Sequence, residues 1–249
     1  MSKVVGVIPA RLQSTRLARK ALRLIDGQPM IVWVYRRARQ SARFDRLLVA
    51  TDSEEVAACC RQFQIPAQMT SSSHRSGTDR LIEVASREPA DVYINLQGDE
   101  PMVTQAHIEL LLEPFRQASS VAVTTLKVAI SPEEAQNPNN VKVVTDAAGH
   151  ALYFSRWPIP YDRDGSGQAR YFKHLGLYGY SRGALEAFSG LPPSRLEVAE
   201  QLEQLRFLEN GIPITLTETC EDTIGVDAEE DLKRVEEFFR RTGQTLPEA

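Results

Sequence analysis

Four basic side chains fall within the segment Pro9–Lys20, PARLQSTRLARK: Arg11, Arg16, Arg19 and Lys20, with no acid among them. The 249-residue chain carries a formal net charge of −4, so this local excess runs against the bulk. Guanidinium forks and an ammonium, with Ser14 and Thr15 as hydroxyl donors, are groups that hold phosphate oxygens. A solvated basic loop is the alternative reading. Two glycine-built phosphate sites fail here. A dinucleotide turn needs closely spaced glycines, and a P-loop needs Gly-Lys-Ser/Thr at fixed spacing. The chain has no glycine between Gly6 and Gly27.

A polyphosphate usually arrives with Mg²⁺, which takes oxygen ligands, commonly one or two carboxylates with water completing the octahedron. Two aspartates are candidates. Asp99, in NLQGDEP, follows an apolar run and stands before Pro101, where it could equally be a turn residue. Asp227, in IGVDAEEDL, has Glu230 three positions on, a capping pattern for the last helix. Either aspartate could combine the two roles.

The elements that would position these groups read as follows. VVGVIPA is a continuous apolar run, as in a strand buried on both faces. A helix is expected over about Ile31–Gln40, then strand RLLVATD, helix SEEVAACCRQF capped by Asp52 or Ser53, strand PAQMT, helix SGTDRLIEVASRE and strand DVYINLQGDEP. This alternation predicts a parallel sheet with helices on both faces. Right-handed crossovers put the strand C-termini on one edge, so the residues after VIP, VATD and NLQG should share one cleft.

The later chain predicts a long strand SVAVTTLKVAI, a hairpin turning at Asp146–Gly149, strand YFKHLGLYGYSR and helix GALEAFSG. One helix LEVAEQLEQLRFLENG stopped by Gly211, strand ITLTET and a final amphipathic helix AEEDLKRVEEFFRR complete it. Residues 157–170 are rich in Gly, Pro and Asp and read as a mobile loop. The expectation is a single domain, 1–249, with a substrate-facing subregion at about 120–215.

With 42% hydrophobic and 25% charged residues the composition is that of a soluble globular chain, and its acidic balance argues against nucleic-acid or membrane-surface binding. Three cysteines, two adjacent as Cys59-Cys60, make a poor disulfide framework and fit reduced thiols. No stretch approaches the roughly 20 apolar residues of a membrane helix, and a cytoplasmic location is expected.

IPARLQSTRLARK, ATD, HRSGTDRL, NLQGDEP, NPNNVKVV, ALYFSR, HLGLYGY, LEQLR and GVDAEEDL stand in the order found in 3-deoxy-manno-octulosonate (Kdo) cytidylyltransferases. The chain resembles this family from Val5 to about Val235. The resemblance implies an α/β, Rossmann-like nucleotide-diphosphosugar transferase fold with a mostly parallel mixed sheet flanked by helices, in a homodimer. It implies that CTP and Kdo give CMP-Kdo and pyrophosphate with Mg²⁺, feeding lipopolysaccharide assembly. Arg11, Ser14, Arg16 and Lys20 match the triphosphate loop, Ala10 and Arg11 match positions near the nucleotide, and Arg75, Ser76, Gly77 and Arg80 resemble the part that reads cytosine. Gln97 matches a position near nucleotide and sugar. Asp99 and Asp227 match the magnesium ligands. Arg156, His174, Tyr178, Glu203 and Gln204 match positions lining the sugar pocket. Arg11, Lys20, Asp99 and Asp227 thus become the expected catalytic set. A core role for His174 and Tyr178 and a surface role for Glu203 are the alternatives.

One departure concerns LARK, where the family usually has Leu-Pro-Gly-Lys. Without the glycine, easy access to positive φ is lost, so the loop is expected to use a conformation that arginine tolerates. An 8-amino-Kdo enzyme is the nearest rival reading. A nonulosonic-acid enzyme ranks lower, since its first loop is usually glycine-rich. A non-catalytic nucleotide-binding regulator is the rival from another class, but such a protein would be expected to lack one of the two aspartates.

Overall fold

The computed structural model describes residues 2–12, 17–74 and 76–248. Contacts divide the chain into two compact units: residues 1–109 with 223–249, and residues 110–222.

The first unit begins with β1 (Val4–Ala10), every residue of which is buried. It continues through the short strands β2 (Leu24–Ile25) and β3 (Gln28–Pro29), α1 (Met30–Arg39), β4 (Arg46–Thr51), α2 (Glu54–Gln62), β5 (Ala67–Met69), α3 (Gly77–Arg87), β6 (Val92–Asn95) and the start of α4 (Gln105–Gln117). β6, β1, β4 and β5 lie side by side, all parallel. The strand–helix alternation thus gives the expected sheet, with the ends of β1, β4 and β6 on one edge. Ser53 caps α2 by accepting the Val56 N–H, and Ser76 caps α3 while Asp79 accepts the Ser76 N–H.

The second unit holds β7 (Val123–Ile130), α5 (Pro132–Ala135), β8 (Lys142–Thr145), β9 (Ala151–Ser155), β10 (Tyr171–Ser181), α6 (Arg182–Ser189), α7 (Arg195–Glu200), α8 (Leu205–Glu209) and β11 (Ile214–Thr219). β7 pairs parallel with β11 and antiparallel with β10, and the β8–β9 hairpin joins β10 through the Lys173–Lys142 pair. The chain then returns to the first unit for α9 (Glu229–Thr242).

Three expectations need correction. The single helix over LEVAEQLEQLRFLENG is two, because Gln201 takes left-handed backbone (φ 54°) after α7. Asp227 does not cap the last helix. The capping position is Ala228, and Asp231 accepts the N–H groups of Ala228 (3.0 Å) and Asp227 (3.1 Å). The LARK turn does use the left-handed region: Arg19 has φ 55° and ψ 36°. α4, which contains Pro114, is also not anticipated from the sequence.

An apolar cluster fixes the return of the chain. Trp33 of α1 stacks on Phe239 of α9 with ring centroids 4.5 Å apart. Leu17, Ile25, Met30, Met102, Val226, Leu232 and Val235 close around them. Full burial of side chains this size stabilises by about 1.5–3 kcal/mol each. Leu17, Met102 and Val226 each lie within three residues of Lys20, Asp99 and Asp227 respectively, so the core sets where those charges stand.

Candidate active site

At the C-terminal edge of the parallel sheet, the backbone is packed too closely for side chains. A Cβ on Gly98 would sit 2.7 Å from the carbonyl oxygen of Pro9, so the turn after β6 reaches β1 only as glycine. A Cβ on Gly77, at the start of α3, would meet Pro9 and the side-chain oxygen of Gln97 at 3.6–3.7 Å, ordinary contact distances. Residues after VIP and NLQG therefore do converge, with the N-terminus of α3 beside them.

Here the charges meet. Lys20 Nζ donates to Asp99 Oδ2 at 2.6 Å and to Asp227 Oδ1 at 2.9 Å. The side chains are 17%, 30% and 42% exposed, so the node is open to solvent on its acidic side. Burial pulls the Lys20 pKa down, but Asp99 and then Asp227 outweigh it and hold the ammonium above the usual lysine value. A backbone bond from Val226 N–H to the Asp99 carbonyl (2.9 Å) ties the two acidic turns together. Lys20 begins a short 3₁₀ turn, Lys20–Leu22, directly after Arg19, whose guanidinium pairs with Glu55.

The two carboxylates reach one cationic centre, and hard carboxylate oxygens with room for water and phosphate are the donors Mg²⁺ takes. The residues fit that ion. No third acidic, histidine or cysteine ligand joins them among the described residues.

The remaining expected residues are placed as follows. Ala10 is buried at the end of β1 and Arg11 is exposed beyond it. Ser14, Arg16 and Arg75 lie outside the described residues. Ser76 uses its side chain as the α3 cap. Arg80 is fully buried and commits its guanidinium to Asp52 (2.9 Å) and Thr70, which holds α3 against the end of β4.

In the second unit, His174 is buried on β10 and shares a hydrogen bond with Thr125 Oγ1 (3.0 Å). Burial, with Lys173 adding to it, pushes its pKa down to about 3, so the ring is neutral. Tyr178 packs 5.3 Å from the His174 ring, and burial raises its phenol well above the usual value. Arg156 donates to three backbone carbonyls: Glu200 (2.8 Å), Pro138 (3.1 Å) and Gln201 (3.3 Å). Those bonds hold the chain at the break between α7 and α8, which carries half-buried Glu203 and buried Gln204. Sequence reasoning missed Lys142, Glu200 and Asp52. All three stood inside quoted segments, Asp52 as a candidate cap, but nothing local marks a strand lysine as buried or a helix-end glutamate as its neighbour.

A family profile described as cytidylyltransferase matches residues 5–219. The 3-deoxy-manno-octulosonate cytidylyltransferase of Acidobacterium capsulatum is 58% identical over 236 residues, spanning 95% of this chain and 96% of that protein. The enzyme of the same name from Koribacter versatilis is 54% identical over 96% of this chain and 90% of its own length. A solved CMP:2-keto-3-deoxy-manno-octonic acid synthetase complexed with CTP superposes with a TM-score of 0.93 at 47% identity, covering 97% of this chain and all of that one. A cytidylyltransferase structure from Leptospira borgpetersenii, 15% identical with a TM-score of 0.64 over 97% of this chain and 88% of that one, shares the fold alone. With its nucleotidyltransferase fold and this near full-length identity, the chain belongs to the 3-deoxy-manno-octulosonate cytidylyltransferase family.

Proposed function

We infer that this chain activates Kdo with CTP, releasing pyrophosphate and forming CMP-Kdo. The observation that carries the reading is the Lys20–Asp99–Asp227 node at the edge of the parallel sheet, in a chain 58% identical to a named enzyme of this activity.

The chemistry sets an electrostatic problem. The sugar acid brings its carboxylate next to the attacking hydroxyl, and the target phosphate belongs to a polyanion. Two unit charges 4 Å apart repel by about 4 kcal/mol at an effective dielectric of 20. Concentrated positive charge must offset that. Arg11 and Lys20, with Ser14 and Arg16, bind the triphosphate and stabilise the charge that grows on departing pyrophosphate. Asp99 and Asp227 hold Mg²⁺, which when bound neutralises phosphate charge and makes the attacking hydroxyl more acidic. Ser76, Gly77, Ala10 and Gln97 flank the nucleotide, and Arg75 and Arg80 complete the base-reading segment. Gln97, Arg156, His174, Tyr178, Glu203 and Gln204 take the sugar acid. No side-chain nucleophile is required, and the sugar hydroxyl displaces pyrophosphate directly.

The same reading assigns the chain to the cytoplasm as a homodimer that supplies lipopolysaccharide assembly. In support, no described helix is long and apolar enough to cross a membrane. Exposed Trp157 and Tyr161 supply apolar surface for a second copy.

The test is pyrophosphate release from CTP and Mg²⁺ across a panel of Kdo, 8-amino-Kdo and a nonulosonic acid. Release with Kdo and not without it is expected. Preference for the 8-amino sugar would move the chain to the rival substrate, and no release with any acid would favour a binding regulator.

A further inference from the structure

A second lysine is more deeply placed than Lys20. Lys142 of β8 is fully buried, yet its ammonium meets no carboxylate directly: Nζ donates to the carbonyls of Arg156 (2.6 Å) and Asn137 (3.0 Å). The nearby acid is Glu200 at the end of α7, and it too is fully engaged. Its Oε1 accepts from the Ser155 hydroxyl at 2.7 Å, and its Oε2 accepts from the Arg156 backbone N–H at 2.9 Å. Arg156 then returns its guanidinium to the Glu200 and Gln201 carbonyls. Both backbone polar groups of Arg156 are thus held by charged side chains, its N–H by Glu200 and its carbonyl by Lys142.

A buried lysine loses several kcal/mol of hydration and persists only where geometry compensates it. Carbonyl dipoles do this only if the backbone stays fixed, so Lys142 and Glu200 lock the Ser155–Arg156 corner. That corner opens the 157–170 loop. Through the guanidinium it also holds Gln201, whose left-handed backbone ends α7 and sets where Glu203 and Gln204 stand.

We propose that Lys142 and Glu200 are positioning residues for the sugar acid: they fix the Ser155–Arg156 corner, and through it both the Arg156 guanidinium and the Gln201–Gln204 turn. This rests on the reading of the chain as a sugar-acid cytidylyltransferase. Neither residue touches substrate. Their effect is on where binding groups lie, and small misplacements of such groups can cost about 100-fold.

The test compares the wild-type protein with Glu200→Gln, Lys142→Met and Ser155→Ala. Gln turns one of the two acceptor oxygens of Glu200 into a donor, so either the Arg156 N–H or the Ser155 and Tyr153 hydroxyls lose their carboxylate acceptor. Met keeps the Lys142 stem, and Ala deletes one hydroxyl. Steady-state pyrophosphate release gives KM for Kdo and for CTP separately. KM for Kdo should rise about tenfold or more in Glu200→Gln and Lys142→Met, and less in Ser155→Ala, with KM for CTP within about twofold of wild type. Tryptic cleavage after Arg163, inside the loop, should be faster in the same order. A Kdo KM unchanged in Glu200→Gln and Ser155→Ala, or equal losses for both substrates, overturns the proposal, whatever becomes of Lys142→Met. Wild-type protein that releases no pyrophosphate overturns the functional reading instead. The proteolysis comparison then still decides whether the corner is locked as described.

Discussion

Lys20 and Lys142 each bridge two oxygen acceptors, one lysine in each unit, but the acceptors differ in kind. Lys20 holds two carboxylates that keep access to solvent, and its pKa is raised above the usual value. Lys142 holds two backbone carbonyls in a fully buried setting, and burial first, then Arg156, lowers its pKa despite Glu200. Side-chain acids can change partners by rotating a torsion, so the first lysine stands in an arrangement a ligand can enter. Carbonyls change partners only by moving the chain, so the second stands in a scaffold. Acceptor type separates exchangeable charge from fixed charge better than burial alone does.

That contrast can be broken most sharply at Asp99. Asp99→Asn should lower kcat by about 10³-fold with little change in the unfolding midpoint. Pyrophosphate release at saturating Mg²⁺ measures it, and near wild-type turnover would remove the node from catalysis. Lys20→Ala comes next, with CTP affinity weakened by about 10–100-fold in calorimetry. An unchanged affinity would make Lys20 a fixed strut like Lys142.

The scaffold side can be sharpened by pH. His174 is held neutral in the fold with a pKa of about 3, against about 6.5 when exposed in the unfolded chain. The unfolded chain therefore binds the extra proton between these values, and stability falls as pH drops from about 6.5 toward 3. Urea titrations should show this slope, and His174→Asn should flatten it. Gly98→Ala should destabilise by about 1–3 kcal/mol in denaturant, because the new methyl meets backbone that cannot give way. The smallest effect is expected at Arg19. Arg19→Gly relieves the left-handed backbone, gains flexibility in the unfolded chain and loses an exposed pair with Glu55. The sum should stay within about 1 kcal/mol by thermal unfolding.

How much of this could be read from sequence depended on range. β1, β4, β6 and α3 follow from apolar runs and a capping serine within a few residues, and they appear with boundaries close to those expected. Lys20, Asp99 and Asp227 were candidates through charge type and position after strands. Their meeting at one point depends on contacts across the whole first unit. The Asp227 cap failed because Asp231 offered the same chemistry four residues on. The break at Gln201 left no local trace, since a glutamine in left-handed backbone has ordinary helix propensity. At that break the Gln201 carbonyl accepts from Arg156, which lies just beyond β9 and 45 positions away in sequence.

The bond from Val226 N–H to the Asp99 carbonyl has a consequence for biogenesis. The two acidic turns it joins stand on either side of an entire intervening unit in the primary order. Bringing such distant positions together carries a closure entropy on the order of 4 kcal/mol, though it grows only logarithmically with separation. On a ribosome, the first hundred residues can assemble their parallel strands while Asp227 is still untranslated. Catalytic competence should therefore wait until the intervening unit and Asp227 have been made.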